Sequence, residues 1–426
     1  MKSDDIKEFF EFALNKKLTV QELAHAYINY HGDINWGQQN ALVTAISTKM
    51  SGASAITRAD VLGNDGELKA SFFQSIFPGA NYPYYEPSFA DIASTTTIYA
   101  QSKNVWCDTS MPHPINMRLG NAQRPALSVF SLESPQLFIG PYGYQCFRAK
   151  ERIFWPRASS RGFSTSIERY PHSVLNGPLV VIQDQYDGGN YAHFLFDYVA
   201  RISIFCEIFP QTASQCTFIL GGERSGFHDM LLQSLSRKYC LRLEQFLFPQ
   251  HRTVATVRGL VFFFSDQREP ITHPLYMCHP EIVRLVRDLM VFSASIYATP
   301  GKLLISRQDA GLRRLVNEDE LFSKLGPLGF TRIVMSKCTP AEQVAIISNA
   351  TTVIAPHGMG LTPILFNQRS SAVIEIFSPT IGSDAYAFVC KALGISYRYA
   401  VGIDSADGRA GFSVDINTVL SMLRPH

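Results

Sequence analysis

The stretch TTVIAPHGMGLTPILF, residues 351–366, stops a β-branched apolar run at a proline, a histidine and two glycines, then resumes an apolar helical pattern. Glycine lets a backbone approach a ligand closely, and the amides that open a helix point at anions. Gly358 and Gly360 thus offer a cradle, with Met359 and Leu361 adding amides and His357 a side-chain donor. The alternative is a tight strand-to-helix corner with a satisfied loop histidine. In LLISRQDAGLRR, Arg307 ends an apolar run, and Arg313 and Arg314 follow in the next loop. Guanidinium forks suit phosphate oxygens, so three of them could converge on one rim. Their alternative is a solvated basic loop paired with NEDE just downstream. Glu375 interrupts the apolar strand VIEIF, where a carboxylate is costly unless it is paired or meets a ligand. It could accept the two hydroxyls of a ribose, or it could be buried against one of the arginines.

A second set lies in DGGNYAHFLFDYVAR. Gly188 and Gly189 release the chain from a strand, and Asn190 suits a helix N-cap. His193 and Asp197 are four apart, so they share one helical face. A histidine whose tautomer is held by a carboxylate can act as a general base. A purely structural His–Asp bond is the alternative, and a metal site is a weaker one because two ligands do not fill a coordination shell.

These residues need elements to hold them. From residue 178 onward strand and helix alternate: PLVVIQ, NYAHFLFDYVARISIFCEIF, CTFILGG, FHDMLLQSLSRKY and TVRGLVFFF, then a helix ending at the Pro-Gly hinge ATPGK. The last third predicts five strands, KLLIS, TRIVM, TTVIA, SAVIEIF and SYRYAV. Its helices carry start signals: Asn317 as an N-cap with Glu320 three residues on, and Thr339, Pro340 and Glu342 as a capping box. Such alternation is Rossmann-like, and ligands then bind beyond the carboxyl ends of the strands, where PHGMGL sits. The division expected is a helical accessory segment over 1–75, a first lobe over 76–298 that is β-rich before it becomes Rossmann-like, and a second lobe over 299–426.

Composition narrows the function. With 426 residues, 46% hydrophobic and 17% charged, the chain can bury large cores, and a formal charge of +2 gives no footprint for nucleic acid. Eight scattered cysteines without a C-x-x-C favour reduced thiols. The acidic, amphipathic start MKSDDIKEFFEFALNKK lacks the pattern of a signal peptide, and no window reaches a membrane span. A cytoplasmic protein is expected, with peripheral attachment to the inner face of the membrane left open.

In this order, GGNYAHFLFD, LLISRQDAGLRRLVNEDEL, AEQVAIISNATTVIAPHGMGL and VIEIF resemble the glycosyltransferase family 61 domain. The resemblance implies an α/β, GT-B type fold, two Rossmann-like lobes facing a cleft. It implies inverting transfer from a nucleotide sugar, UDP-linked, to a polysaccharide or glycolipid hydroxyl, with no obligatory metal or other cofactor. Arg307, Arg313, His357, Gly358, Met359, Gly360, Leu361 and Glu375 fall on its donor-binding motifs. Gly189, Asn190, His193 and Asp197 fall on its first-lobe motif, with His193 or Asp197 as the base. Where the family often reads HGAGLTN, this chain has Met359 and Pro363. The rivals are a dinucleotide enzyme, disfavoured because no G-x-G-x-x-G follows a first strand, and a non-catalytic carbohydrate- or nucleotide-binding protein of polysaccharide assembly.

Overall fold

The computed structural model describes residues 127–141, 143–148, 151–154, 170–182, 190–266, 280–289, 300–311, 313–369, 372–379, 385–404 and 411–423, with 94–99, 102–103, 123–124 and six positions before residue 50. The expected helical segment over 1–75, the turn at Gly188 and Gly189 and the hinge at 298 therefore lie largely or wholly outside the described residues.

The first lobe is built on a mixed sheet. Its parallel strands are β1 (Leu179–Val181), β2 (Thr217–Ile219), β3 (Phe246–Leu247) and β4 (Leu260–Asp266), in the order β4-β1-β2-β3. Leu127–Glu133 and Ser94–Tyr99 extend the β4 edge in antiparallel fashion. Alternating residues cover both faces, because side chains in a strand point alternately up and down. Val180, Phe218, Phe262 and Phe264 face helices, whereas Leu179, Val181, Ile219, Val261 and Phe263 face a second sheet. That second sheet runs Glu151–Phe154, Gly143–Arg148, Gln136–Gly140, Thr253–Arg258 and His172–Asn176.

This arrangement departs from the Rossmann-like first lobe expected from the sequence, because helices cover only one face among the described residues. The cause is visible at Gly259. TVRGLVFFF, expected as one strand, breaks at this glycine (φ 111°), with Thr253–Arg258 in the second sheet and β4 in the first. Gly177 makes the same passage beside it, between His172–Asn176 and β1. A Cβ on Gly177 would lie 2.8 Å from the Leu260 carbonyl oxygen, so the paired crossing requires glycine there.

The first-lobe helices are α1, a continuous run of Tyr191–His193, Phe194–Val199 and Ala200–Ile208; α2 (Gly226–Tyr239); and α3 (Pro280–Asp288). The middle segment of α1 is π-helical, an irregularity often found at functional sites.

The second lobe is doubly wound. Strands β5 (Lys302–Ser306), β6 (Phe330–Val334), β7 (Thr352–Pro356), β8 (Ala372–Phe377) and β9 (Ser396–Val401) are all parallel, in the order β6-β5-β7-β8-β9. Helices α4 (Glu318–Leu325) and α7 (Ile416–Ser421) cover one face. On the other face lie α5 (Pro340–Ser348), the 3₁₀ helix Met359–Phe366 and α6 (Ala385–Leu393). Thr339 and Glu342 close the expected capping box on α5. Asn317 does not cap α4 with its side chain; it pairs with the backbone N–H and C=O of Val414 and ties α4 to the strand before α7.

The lobes share one hydrophobic core. α3 packs on α6, α2 on α5, and the opening turn of α1 on the 3₁₀ helix Met359–Phe366. Ile282, Val283 and Val286 of α3 are fully buried in this layer, each contributing about 1.5–3 kcal/mol of apolar burial. The two sheets therefore flank a packed helical layer. Among the described residues, no helix is long and apolar enough to cross a membrane.

Candidate active site

The order β6-β5-β7 makes the boundary between β5 and β7 the switch point of the second-lobe sheet, where connections leave toward opposite faces and open a crevice. Arg307 follows the last residue of β5, and His357 and Gly358 follow the last residue of β7. The two sequence motifs thus meet because of the strand order. Gly358 has φ 157° and ψ 179°, a conformation essentially restricted to glycine. The Arg307 guanidinium lies over it: a Cβ on Gly358 would sit 1.6 Å from Nη1 and 2.7 Å from Cζ. Gly360 packs against the sheet, its Cβ position 3.2 Å from Ile305 Cγ2.

Arg313 joins Arg307 from the loop after β5. It is a non-glycine residue in the left-handed region, φ 58°, a conformation that costs about 1–3 kcal/mol and concentrates at functional sites. It makes no ion pair with any described residue. Burial holds the Arg307 guanidinium below its ordinary value, and the neighbouring Arg313 charge acts in the same direction. Burial also lowers Arg313. Two half-buried cations, one of them disfavoured by the other's charge, suit a multivalent anion. Arg314 does not join them: it is exposed, on the short strand Arg314–Leu315 that pairs with Gly411–Ser413.

His357 is fixed from three sides. Its Nδ1 lies 2.6 Å from Glu375 Oε1, its ring stacks on Phe377 with centroids 5.1 Å apart, and Tyr386 tilts against it at 5.9 Å. Tyr397 donates its hydroxyl to Glu375 Oε2 at 2.6 Å. Glu375 is 0% exposed, with one oxygen bonded to His357 and the other to Tyr397. It is therefore placed to orient His357 rather than to accept ribose hydroxyls, and its partner is not one of the arginines. Tyr386 bonds through its hydroxyl to Thr362 Oγ1 at 2.9 Å. Burial pushes its phenol up; the Thr362 bond opposes this, Glu375 reinforces it, and Arg307 and Arg313 oppose it.

The turn amides divide. Leu361 N–H donates to the Gly358 carbonyl at 3.0 Å and the Leu361 side chain is fully buried, so Leu361 closes the turn. Met359 and Gly360 precede that bond, and their amides open the 3₁₀ helix without an intrahelical acceptor. The Met359 side chain is 50% exposed.

The first-lobe pair approaches this site from the other side. Asn190 caps α1, its Oδ1 accepting from the amides of Ala192 (3.0 Å) and His193 (3.3 Å). His193 Nδ1 lies 3.1 Å from Asp197 Oδ2. The His193 side chain is 24% exposed and Asp197 0%, so of these two candidate bases only the histidine can reach a substrate. With Nδ1 held by the carboxylate, Nε2 is the nitrogen that would take a proton. The packing of Tyr191–His193 on Met359–Phe366 brings the two motif sets together.

Sequence reading missed Tyr386, Tyr397 and Thr362. Tyr397 had a readable signal: Val373 pairs with it and Glu375 with Tyr399, so Tyr397 and Glu375 share one face of neighbouring strands. Tyr386 opens the helix after β8, again beyond a carboxyl end.

Residues 191–374 match the family model described as Glycosyltransferase 61, a segment that holds all the assembled residues except Asn190, Glu375, Phe377, Tyr386 and Tyr397. A Beta-1,2-xylosyltransferase of Arabidopsis thaliana is 28% identical over 98 residues, 20% of this chain and 18% of that protein. The chain thus matches about a fifth of the length of that relative. Among solved structures, the bacterial iron-containing dodecameric glycosyltransferase TibC from enterotoxigenic E. coli aligns over 70% of this chain and 81% of its own, at 11% identity and a TM-score of 0.26. At that score the alignment carries no argument.

Proposed function

We propose that this chain is an inverting, metal-independent glycosyltransferase that moves a sugar from a nucleotide sugar, UDP-linked, to a hydroxyl of a polysaccharide or glycolipid. The observation that carries the reading is the packing of Tyr191–His193 on the 3₁₀ helix Met359–Phe366, which follows directly on His357 and on the Gly358 that Arg307 overlies. It supports a base on α1 acting across from a site for the departing anion.

In the proposed step the acceptor oxygen attacks the anomeric carbon in line, the bond from that carbon to the diphosphate oxygen breaks, and His193 Nε2 takes the acceptor proton. Arg307, Arg313 and the amides of Met359 and Gly360 stabilise the charge that grows on the leaving diphosphate. His357, held at Nδ1 by Glu375, presents its other edge to the same site. Guanidinium charge thereby does the work that a divalent cation does elsewhere, so added EDTA leaves the rate unchanged. The site of action in this reading is cytoplasmic.

The test is a transfer assay on a panel of nucleotide sugars and glycan acceptors, comparing wild type with His193→Ala. The expected loss is about 10²–10⁴-fold in kcat with nucleoside diphosphate affinity retained. Full activity of the variant would remove His193 from the mechanism.

A further inference from the structure

We propose that Tyr191 is a ligand-binding residue that the first lobe lends to the anion site, its phenolic hydroxyl donating a hydrogen bond to the diphosphate held by Arg307 and Arg313. The inference rests on the reading of that site as a diphosphate cradle. Tyr191 is the first residue of α1, directly after the Asn190 cap, so its backbone is fixed by the same turn that positions His193. Its ring rests on Phe227, centroids 5.1 Å apart, and it packs against the core that the two lobes share. Its hydroxyl is buried yet has no hydrogen-bond partner among the described residues. A hydroxyl withdrawn from water without a partner is costly, and such groups ask for an explanation.

The location supplies one. Tyr191–His193 packs on the 3₁₀ helix Met359–Phe366, whose opening amides belong to the cradle and whose Thr362 holds Tyr386. Burial keeps the Tyr191 phenol well above its ordinary range, and Tyr386 is close enough to act in the same direction. Tyr386 in turn senses both Arg307 and Arg313. Tyr191 therefore stays a neutral O–H donor on the segment that packs against the helix whose opening amides belong to the cradle, where a phosphate oxygen is the acceptor its chemistry lacks. The anion is then gripped from both lobes. An internal water is the competing acceptor for this hydroxyl.

The experiment titrates inorganic pyrophosphate and, separately, UDP into wild type, Tyr191→Phe and Arg313→Ala by calorimetry, with melting curves of the ligand-free proteins. We expect Tyr191→Phe to bind both compounds about 10-fold or more weakly while its ligand-free midpoint stays equal to or above wild type. Wild-type affinity in Tyr191→Phe, with binding still lost in Arg313→Ala, would overturn the role of Tyr191 and leave the cradle standing. The same affinity with a lowered midpoint would assign the hydroxyl to folding and likewise overturn it. Failure of wild type to bind either compound would overturn the cradle, and this inference with it.

Discussion

Gly358→Ala probes the cradle at its tightest point. The new Cβ would lie 1.6 Å from Arg307 Nη1, whereas nonbonded atoms settle near 3.5 Å, so the guanidinium must retreat by roughly 2 Å. The backbone cost is separate: at φ 157° and ψ 179° an alanine is strained by about 1–3 kcal/mol. In the proposed site, displacing Arg307 would remove a charge-assisted contact to the diphosphate, worth about 1.5–3 kcal/mol, or roughly 10- to 100-fold in affinity. The assay is calorimetric titration of a nucleoside diphosphate into Gly358→Ala, Arg307→Ala and the double variant, with urea unfolding of each. Because the alanine acts through the arginine, the two substitutions should be strongly non-additive in binding, with a coupling of about 0.5–3 kcal/mol, and non-additive in stability too, since Arg307→Ala removes the atoms the new Cβ would meet. Wild-type affinity in Gly358→Ala, or additive losses in the cycle, would refute the idea that this glycine exists to seat Arg307.

Further predictions follow from neighbouring contacts. Asp197→Asn keeps the shape beside His193 but removes the charge that supports an imidazolium, so kcat should fall with nucleoside diphosphate affinity unchanged; steady-state kinetics beside titration would show it. Tyr397→Phe leaves Oε2 of the buried Glu375 without its donor and should cost about 1–3 kcal/mol in urea unfolding. The backbone and hydroxyl of Thr339 hold the exposed Glu342 carboxyl below its ordinary value. A depressed folded-state pKa gives stability that is present above the unfolded value of 4.5 and fades as pH falls through the folded one. The stability gap between wild type and Glu342→Gln should therefore close on acidification below pH 4.5.

Much of the second lobe was legible because buried parallel strands read as unbroken apolar runs. KLLIS and SYRYAV coincide with observed strands, SAVIEIF contains one, and TRIVM and TTVIA are each offset by one residue from theirs. Strand order was not legible, and it is the order that carries Arg307 to Gly358. Gly259 misled for a related reason: a glycine inside an apolar run does not say whether the chain bends within one sheet or passes to another. Asn317 was read from its position before a helix, but its amide found Val414, 97 residues away, a competition that local pattern cannot register. Glu375 was rightly marked as a carboxylate in need of a partner. That the partners are His357 and Tyr397 depends on cross-strand register and on the turn after β7. Tyr191 and Tyr386 escaped notice because an aromatic residue in an apolar helix reads as core, and only the placement of its hydroxyl separates the two roles.

In the proposed mechanism the crevice between β5 and β7 holds the diphosphate of a sugar donor for a base on α1. The most direct measurement is release of nucleoside diphosphate from a panel of nucleotide sugars, followed by chromatography, for wild type, Arg313→Ala and His193→Ala. The expected result is release from at least one donor by wild type, loss of donor binding in Arg313→Ala, and retained binding without turnover in His193→Ala. Turnover that persists in Arg313→Ala with unchanged donor affinity would contradict it.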